Sequence, residues 1–138
     1  MTPWIVDASL AMTWYLDDEV NRDYGLRVLA GLIAREVRVP ALFVFELSNG
    51  LVMARRRNRI GDVSLQEVLN KLSLWNFTID PATQETASRL ATLAFAHNLT
   101  CYDAAYLDLG IRTGFPIATL DKALIEAMRA ANVELVSV

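Results

Sequence analysis

The segment Trp4-Ile5-Val6-Asp7-Ala8-Ser9-Leu10 places a short apolar run directly before an acidic residue and the start of a helical pattern. A short apolar run bounded by polar residues predicts a buried strand. Ser9 is a candidate N-cap for a helix that ends near Leu16. The same unit, a short strand and then an amphipathic helix, recurs along the chain. Further strands are predicted at 37–39, 77–79, 117–119 and 133–138.

The spacing of apolar residues between these strands predicts the helices. They are expected over 20–34, 42–57, 64–72, 81–97, 102–111 and 121–131. Ser64 stands in a capping-box pattern with Glu67, and Asp80 precedes Pro81 at another helix start. Short apolar strands that alternate with helices predict a parallel sheet covered by helices on both faces. In such sheets, ligands bind beyond the carboxyl ends of the strands.

The composition is that of a folded chain. Of 138 residues, 54% are hydrophobic and 21% are charged, which excludes disorder across the whole chain. We expect one domain over 1–138, because the length suits a single domain and neither linker nor repeat interrupts it. The longest stretch without Asp, Glu, Lys or Arg, at 90–102, is too short to span a membrane, and no secretory signal is expected. A single cysteine, Cys101, favours a reducing cytoplasm.

The charge balance limits the binding partners. The formal net charge is −3, which argues against a whole-surface grip on nucleic acid, so a polyanion would have to bind a local patch. The basic cluster is Arg55-Arg56-Arg57-Asn58-Arg59. It is either a solvated helix end, whose charges complement the helix dipole, or a rim that contacts phosphates.

Glu46 is the most unusual acidic residue, because it lies within an apolar helix pattern over 42–57. A carboxylate in that setting must either be desolvated or face a polar cleft, and desolvation raises its pKa. Asn49, one turn later, would share its face. The alternative is a solvated glutamate on a narrow polar stripe. Gly50 in the same helix indicates close packing.

Three aspartates stand at strand ends or helix starts, and each also has a purely structural interpretation. Asp7 closes the first strand and could form an Asx-turn. Asp103 has capping-box spacing from Thr100. Asp121 follows the fourth strand and is a natural N-cap for the last helix.

Together with Glu46, these aspartates predict a metal site. At one edge of a parallel sheet they would carry a formal charge of −4. Two unit charges about 4 Å apart repel by about 4 kcal/mol at an effective dielectric constant of about 20. Such a cluster needs protons or a divalent cation, and oxygen ligands without His or Cys favour Mg²⁺ or Mn²⁺. Carboxylate sites of this kind suit phosphodiester hydrolysis.

The chain resembles the PIN-domain ribonucleases, and within them the VapC-type toxins of toxin–antitoxin pairs. The resemblance runs over the whole chain and rests on four motifs: Ile5-Val6-Asp7-Ala8-Ser9, Glu46-Leu47-Ser48-Asn49 after Pro40, Tyr102-Asp103-Ala104-Ala105-Tyr106-Leu107, and Thr119-Leu120-Asp121-Lys122-Ala123-Leu124. It implies a PIN fold, that is, a three-layer α/β/α arrangement with a five-stranded parallel sheet.

The resemblance also assigns roles to residues. The family's acidic quartet matches Asp7, Glu46, Asp103 and Asp121, and its principal Mg²⁺ ligands match Asp7 and Asp103. Thr119 matches the usual Ser or Thr beside the last acid. Candidates for contacting the substrate or supporting the acids are Ser9, Asn49, Thr119, Arg55, Arg56 and Arg57. Similar proteins are homodimers, are inhibited by a small antitoxin, and cleave structured RNAs such as tRNA or rRNA.

Asp108 departs from the family pattern, where similar sequences often carry a small apolar residue. It lies about 140° around the helix from Asp103, which predicts a surface charge and not a fifth ligand. Cys101 is predicted to be packed, and His97 to be a helix-end residue. The three tryptophans are predicted to be core or interface residues: Trp4, Trp14 and Trp75.

The sequence therefore predicts a cytoplasmic, Mg²⁺-dependent endoribonuclease toxin that acts as a homodimer. Two rival interpretations stay open. One is a catalytically silent interaction module with the same fold. The other is a phosphotransfer receiver or phosphatase in which Asp7 is the nucleophile.

Overall fold

Four parallel strands form a sheet in the part of the chain that the computed structural model describes, which is residues 1–19 and 22–138. The strands are β1 (Trp4–Val6), β2 (Val37–Pro40), β3 (Phe77–Asp80) and β4 (Ile117–Ala118). Their spatial order is β3-β2-β1-β4, and every neighbouring pair is parallel. The α/β class with a parallel sheet is confirmed.

Seven helices accompany the sheet within the same residues. They are α1 (Ala8–Met12), α2 (Arg22–Gly31), α3 (Leu42–Arg56), α4 (Asp62–Leu72), α5 (Gln84–His97), α6 (Cys101–Thr113) and α7 (Lys122–Ala130). The helix predicted to begin at residue 20 has that start outside the described residues. None of the seven is both long and apolar enough to cross a membrane.

The alternation of side chains in β1 divides the core into two parts. Val6 packs with the apolar residues of α1, α2, α3 and α4 on one face of the sheet. Ile5 points to the opposite face, where it packs with α6 and α7, and Leu93 of α5 joins that cluster. Successive side chains of a strand lie on opposite faces, so the fully buried Ile5 and Val6 fill both sides of the sheet. The helices therefore form a layer on each face.

Three helix starts differ from the predictions. Asp7, not Ser9, caps α1. The helix α4 begins two residues before the Ser64 pattern, directly after Gly61. Asp80 ends β3 instead of capping a helix, and α5 begins four residues later, where the Thr83 N–H donates to Thr86 Oγ1 at 2.8 Å. At α1 and α5 a polar side chain other than the predicted one bonds to a free backbone N–H of the first turn, whereas α4 begins at Gly61 without a side-chain cap.

The predicted fifth strand at 133–138 is wrong among the described residues. A single parallel bridge joins Leu135 to Ile117 and is accompanied by two backbone hydrogen bonds, both 2.9 Å long. The bridge does not extend into a ladder, because β4 has only two residues. The next residue, Thr119, bonds through its hydroxyl to Asp7 and Asp121. The Val136 carbonyl instead accepts a hydrogen bond from the Tyr24 hydroxyl at 2.7 Å.

The prediction that Asp108 is a surface charge is also wrong. Asp108 is 4% exposed. It does lie away from Asp103, but that side of α6 faces α5 and not solvent. Its carboxylate accepts hydrogen bonds from Arg89 of α5 at 3.2 and 3.4 Å and from Arg112 at 2.9 Å. Arg112 in turn donates to Asp80 at 2.6 Å.

Smaller predictions had mixed outcomes. A Cβ at Gly50 would lie 3.0 Å from Met12 Sδ, which confirms close packing of α1 against α3. Trp14 is buried and stacks on Trp75 with ring centroids 5.4 Å apart. Cys101 is exposed, because it is the first residue of α6 and points away from the core, so the prediction that it is packed is wrong.

Candidate active site

The four acidic residues singled out by the sequence stand around the carboxyl edge of the sheet. Asp7 directly follows β1, and Asp121 comes three residues after β4. Glu46 lies on the second turn of α3, which follows β2, and Asp103 lies on the first turn of α6. Parallel strands end at one edge, and the helices that follow them begin there.

Asp7 is held by its own helix start. It is 6% exposed. Its Oδ2 accepts a hydrogen bond from Ser9 Oγ at 2.9 Å, and its Oδ1 accepts one from the Ser9 N–H at 3.3 Å. The Asx-turn interpretation is therefore geometrically correct, and Ser9 supports Asp7 instead of capping the helix itself.

Thr119 connects Asp7 to Asp121. The Thr119 hydroxyl donates to Asp7 Oδ2 at 2.8 Å and accepts from the Asp121 N–H at 3.1 Å. Asp121 caps α7, because its Oδ1 accepts from the Leu124 N–H at 2.9 Å. One carboxylate oxygen of Asp121 is thus used by the helix, and Oδ2 has no protein hydrogen bond among the described residues.

Only one of the two hydrogen bonds of the predicted capping box between Thr100 and Asp103 is present. The Asp103 N–H donates to Thr100 Oγ1 at 3.1 Å, as a capping box requires. Within residues 1–19 and 22–138, the Asp103 carboxylate makes no hydrogen bond to the Thr100 N–H, although the nearby Thr100 hydroxyl opposes the rise of its pKa. The side chain of Asp103 is therefore available to a ligand.

Glu46 accepts a hydrogen bond from a tyrosine of α6. The Tyr106 hydroxyl donates to Glu46 Oε1 at 2.7 Å and accepts from the Ala8 N–H at 3.3 Å. The carboxylate is half-buried and does not lie on a freely solvated stripe. Its neighbour Asn49 is exposed and makes no side-chain hydrogen bond with the acids within the described chain.

Burial and repulsion by neighbouring acids act in the same direction on the pKa values of Asp7, Glu46 and Asp103. Desolvation raises the pKa of Asp7, and the charge of Asp121 adds to that rise, although hydrogen bonds from Thr119 and Ser9 oppose it. Desolvation is also the largest cause of the raised pKa of Glu46, with contributions from Asp7 and Asp103. The pKa of Asp103 is raised by desolvation, then by Asp121 and Asp7. The four carboxylates therefore form one electrostatically coupled cluster, named below the acidic cluster.

No ion pair among residues 1–19 and 22–138 includes a member of the acidic cluster. Its donors are hard carboxylate oxygens, the ligands that Mg²⁺ and Mn²⁺ prefer. No three His, Cys, Asp or Glu side chains of these residues converge closely enough to ligate one ion together. Mg²⁺ does not require that, because it is commonly bound through one or two carboxylates and retains several waters. The donor set thus fits a hydrated divalent cation.

Comparison with known proteins identifies the family. The family model described as "PIN domain" matches residues 4–130.

The chain belongs to the PIN domain family.

Two kinds of relative accompany this PIN match. Ribonuclease VapC3 of Pyrobaculum aerophilum is 30% identical over 129 residues, which cover 91% of this chain and 95% of the relative. A solved structure of VapBC2 from Rickettsia felis, bound to a DNA fragment from their promoter, superimposes with a TM-score of 0.66 at 13% identity, over 97% of each chain. A toxin–antitoxin complex from Klebsiella pneumoniae gives a TM-score of 0.59 at 15% identity, over 85% of each chain. At these identities the structures show a shared fold.

The basic cluster is not part of the acidic edge of this PIN domain. Arg55 lies nine residues beyond Glu46, which is about 14 Å along the axis of α3. Arg55 pairs with Asp62, and Arg59 pairs with Asp18 and Glu19. Arg56 and Arg57 are exposed. A role for Arg55, Arg56 and Arg57 in phosphate contact stays a prediction.

Tyr106 is the residue that sequence reasoning missed. It stands three positions after Asp103, so the two share a face of α6, and the motif at 102–107 does not by itself predict a role for it. The signal that could have identified it is a tyrosine in an otherwise apolar run, since a buried phenol requires a hydrogen-bond partner. Its partners come from residues 98 and 60 positions away, which no local pattern predicts.

Proposed function

We propose that this PIN domain is a divalent-metal-dependent endoribonuclease and the toxin of a toxin–antitoxin pair. Its substrate would be a structured RNA such as tRNA or rRNA. The observation that carries the proposal is the acidic cluster, four carboxylates that repel one another without a compensating Lys or Arg among the described residues. Such a cluster has a cost in stability unless a ligand of opposite charge binds there. The similarity to a protein named ribonuclease VapC3 supports the reaction class.

Each acidic residue has a proposed task. Asp7 and Asp103 would hold Mg²⁺ or Mn²⁺, with Glu46 and Asp121 as further ligands through water. The cation would supply the positive charge that makes water a better nucleophile at neutral pH and that stabilises the leaving oxygen. Thr119 and Ser9 keep the Asp7 carboxylate turned toward the site, since both hydroxyls donate to its Oδ2.

The proposed protein partners are a second copy of the chain and a small antitoxin, in the cytoplasm. The solved toxin–antitoxin complex with the same fold supports the antitoxin. A candidate surface for it is a groove of about 510 Å³ whose lining includes Trp14, Trp75, Ile33 and Leu74. Ile33 and Leu74 are 88% and 84% exposed. Exposed apolar side chains that line a groove are typical of a protein-binding surface.

The experiment is cleavage of purified tRNA and of rRNA fragments by the full chain, with Mg²⁺, with Mn²⁺, and with excess chelator. We expect cleavage with either cation, its loss in chelator, and its recovery when excess Mg²⁺ is returned. Undiminished cleavage in chelator would contradict the metal mechanism. Absence of cleavage under every condition would favour the silent interaction module. Covalent labelling of Asp7 by a small phosphodonor would favour the receiver or phosphatase.

A further inference from the structure

The Tyr106 hydroxyl occupies a buried junction between three helices. Tyr106 is 1% exposed, and a buried phenol is stable only when its hydroxyl is hydrogen-bonded. The Ala8 N–H can only donate, so the Tyr106 oxygen must accept from it. The phenolic proton is therefore directed to Glu46 Oε1, at 2.7 Å. The Ala8 N–H fixes the direction of the first bond, and an ionised Glu46, which can only accept, fixes the direction of the second.

This junction connects three members of the acidic cluster through one side chain. Ala8 is the residue directly after Asp7, and Glu46 is on α3. Tyr106 itself lies one turn after Asp103 on α6. A half-buried glutamate beside two aspartates would otherwise turn toward solvent, because its neighbours repel it and its side chain has three rotatable bonds. A hydrogen bond to an ionised acceptor is stronger than a neutral one and opposes that rotation.

We infer that Tyr106 is a positioning residue, whose hydroxyl holds Oε1 of Glu46 inward and thereby aims the second oxygen, Oε2, at the site. This inference rests on the proposed function for its catalytic consequence. Within residues 1–19 and 22–138 Oε1 is held by Tyr106 and Oε2 has no protein hydrogen-bond partner, which leaves Oε2 free for a ligand. Because Tyr106 is 1% exposed and its hydroxyl bonds to Glu46, the role inferred for it is exerted through Glu46.

Tyr24 offers a matched control. Its hydroxyl donates to the Val136 carbonyl at 2.7 Å, a bond as short as that of Tyr106 but made to no member of the acidic cluster. Tyr24→Phe and Tyr106→Phe therefore remove the same atom and the same kind of donor. Their difference isolates what the Tyr106 hydroxyl does for Glu46 from what a hydrogen-bonded tyrosine hydroxyl does for stability, although Tyr24 is less buried than Tyr106.

The first measurement is the single-turnover rate of RNA cleavage at saturating enzyme, together with thermal unfolding of each variant. We expect Tyr106→Phe to lower the rate about tenfold or more, the effect of losing one hydrogen bond to a charged group, and Tyr24→Phe to leave it unchanged. In the Glu46→Gln background, Tyr106→Phe should have no further effect, since residues that act through one another are not additive. An unchanged rate in Tyr106→Phe, or additive losses in the double variant, would overturn the inference.

The second measurement does not depend on activity. A crystal structure of metal-free Tyr106→Phe should show the fold intact and the Glu46 carboxylate rotated away from Ala8. A carboxylate that stays in place would overturn the positioning role, whether or not the enzyme is active. If the wild-type protein cleaves no RNA but the carboxylate rotates in Tyr106→Phe, the proposed function fails and the positioning role stands.

Discussion

The two aspartates of α6 lie in opposite electrostatic environments. Asp103 at the start of this helix joins three other carboxylates and pairs with no cation among the described residues. Asp108, five residues later, is more deeply buried and lies between Arg89 and Arg112. A buried charge that is fully paired contributes to the architecture, whereas an unpaired group of like charges is stable only if something else binds. This difference distinguishes a site from a structural ion pair better than burial does.

The largest expected effect comes from neutralising the unpaired aspartate. Asp103→Asn should lower RNA cleavage at least about 100-fold, because several kcal/mol of charge stabilisation are lost in the transition state. The metal-free protein should be as stable as wild type or more so, since one source of repulsion disappears. Single-turnover cleavage and thermal unfolding without metal measure both. A destabilised variant that still cleaves RNA would return Asp103 to a helix-capping role.

Neutralising Asp108, the paired aspartate, should have the reverse effect: stability should fall and RNA cleavage should be preserved. Asp108→Asn should lower the free energy of unfolding by roughly 2–3 kcal/mol, somewhat less than for a fully buried pair, because Arg89 and Arg112 are partly exposed and can be hydrated. The cleavage rate of the folded variant should be preserved. Urea unfolding of the two asparagine variants side by side is the measurement. Comparable stability losses for both would remove the distinction between the two aspartates.

The smallest effect is the pH dependence of the metal-free protein. The pKa values of Asp7, Glu46 and Asp103 are raised above their ordinary values of 3.8 and 4.5. Between those values and the raised ones, the folded state binds more protons than the unfolded state. Stability should therefore fall as the pH rises through this window, from about pH 4 upward.

Thermal unfolding in chelator at pH 5 and pH 7 tests this sign. The melting temperature should be higher at pH 5, and Asp103→Asn should flatten the difference. Asp18, Glu36 and Asp62 have lowered pKa values, because each pairs with an arginine, so their effect lies below the window. Greater stability of the wild type at pH 7 would mean that pairing, not repulsion, dominates the acidic edge.

Much of the fold was accessible from the sequence because its signals are local. The apolar residues of β1 and β2 predict strands, and the acids that follow β1 and β4, Asp7 and Asp121, mark the edge where a ligand binds. The errors came from neighbouring elements that compete for the same groups. The tail at 133–138 is apolar enough for a strand, yet β4 is too short to pair with it, and Tyr24 takes the Val136 carbonyl.

The sequence by itself determined that Asp7 and Asp121 stand at strand ends, because a strand and the helix start after it are specified within a few residues. It also determined that Thr119 lies two residues before Asp121 at the end of the same strand. Only the tertiary structure decided that Asp108 is buried against Arg89 and that Tyr106 bonds to Glu46. Those contacts join residues 19 and 60 positions apart. Periodicity specifies which way a side chain points from its own helix, but the element that it meets there is set by how the layers pack.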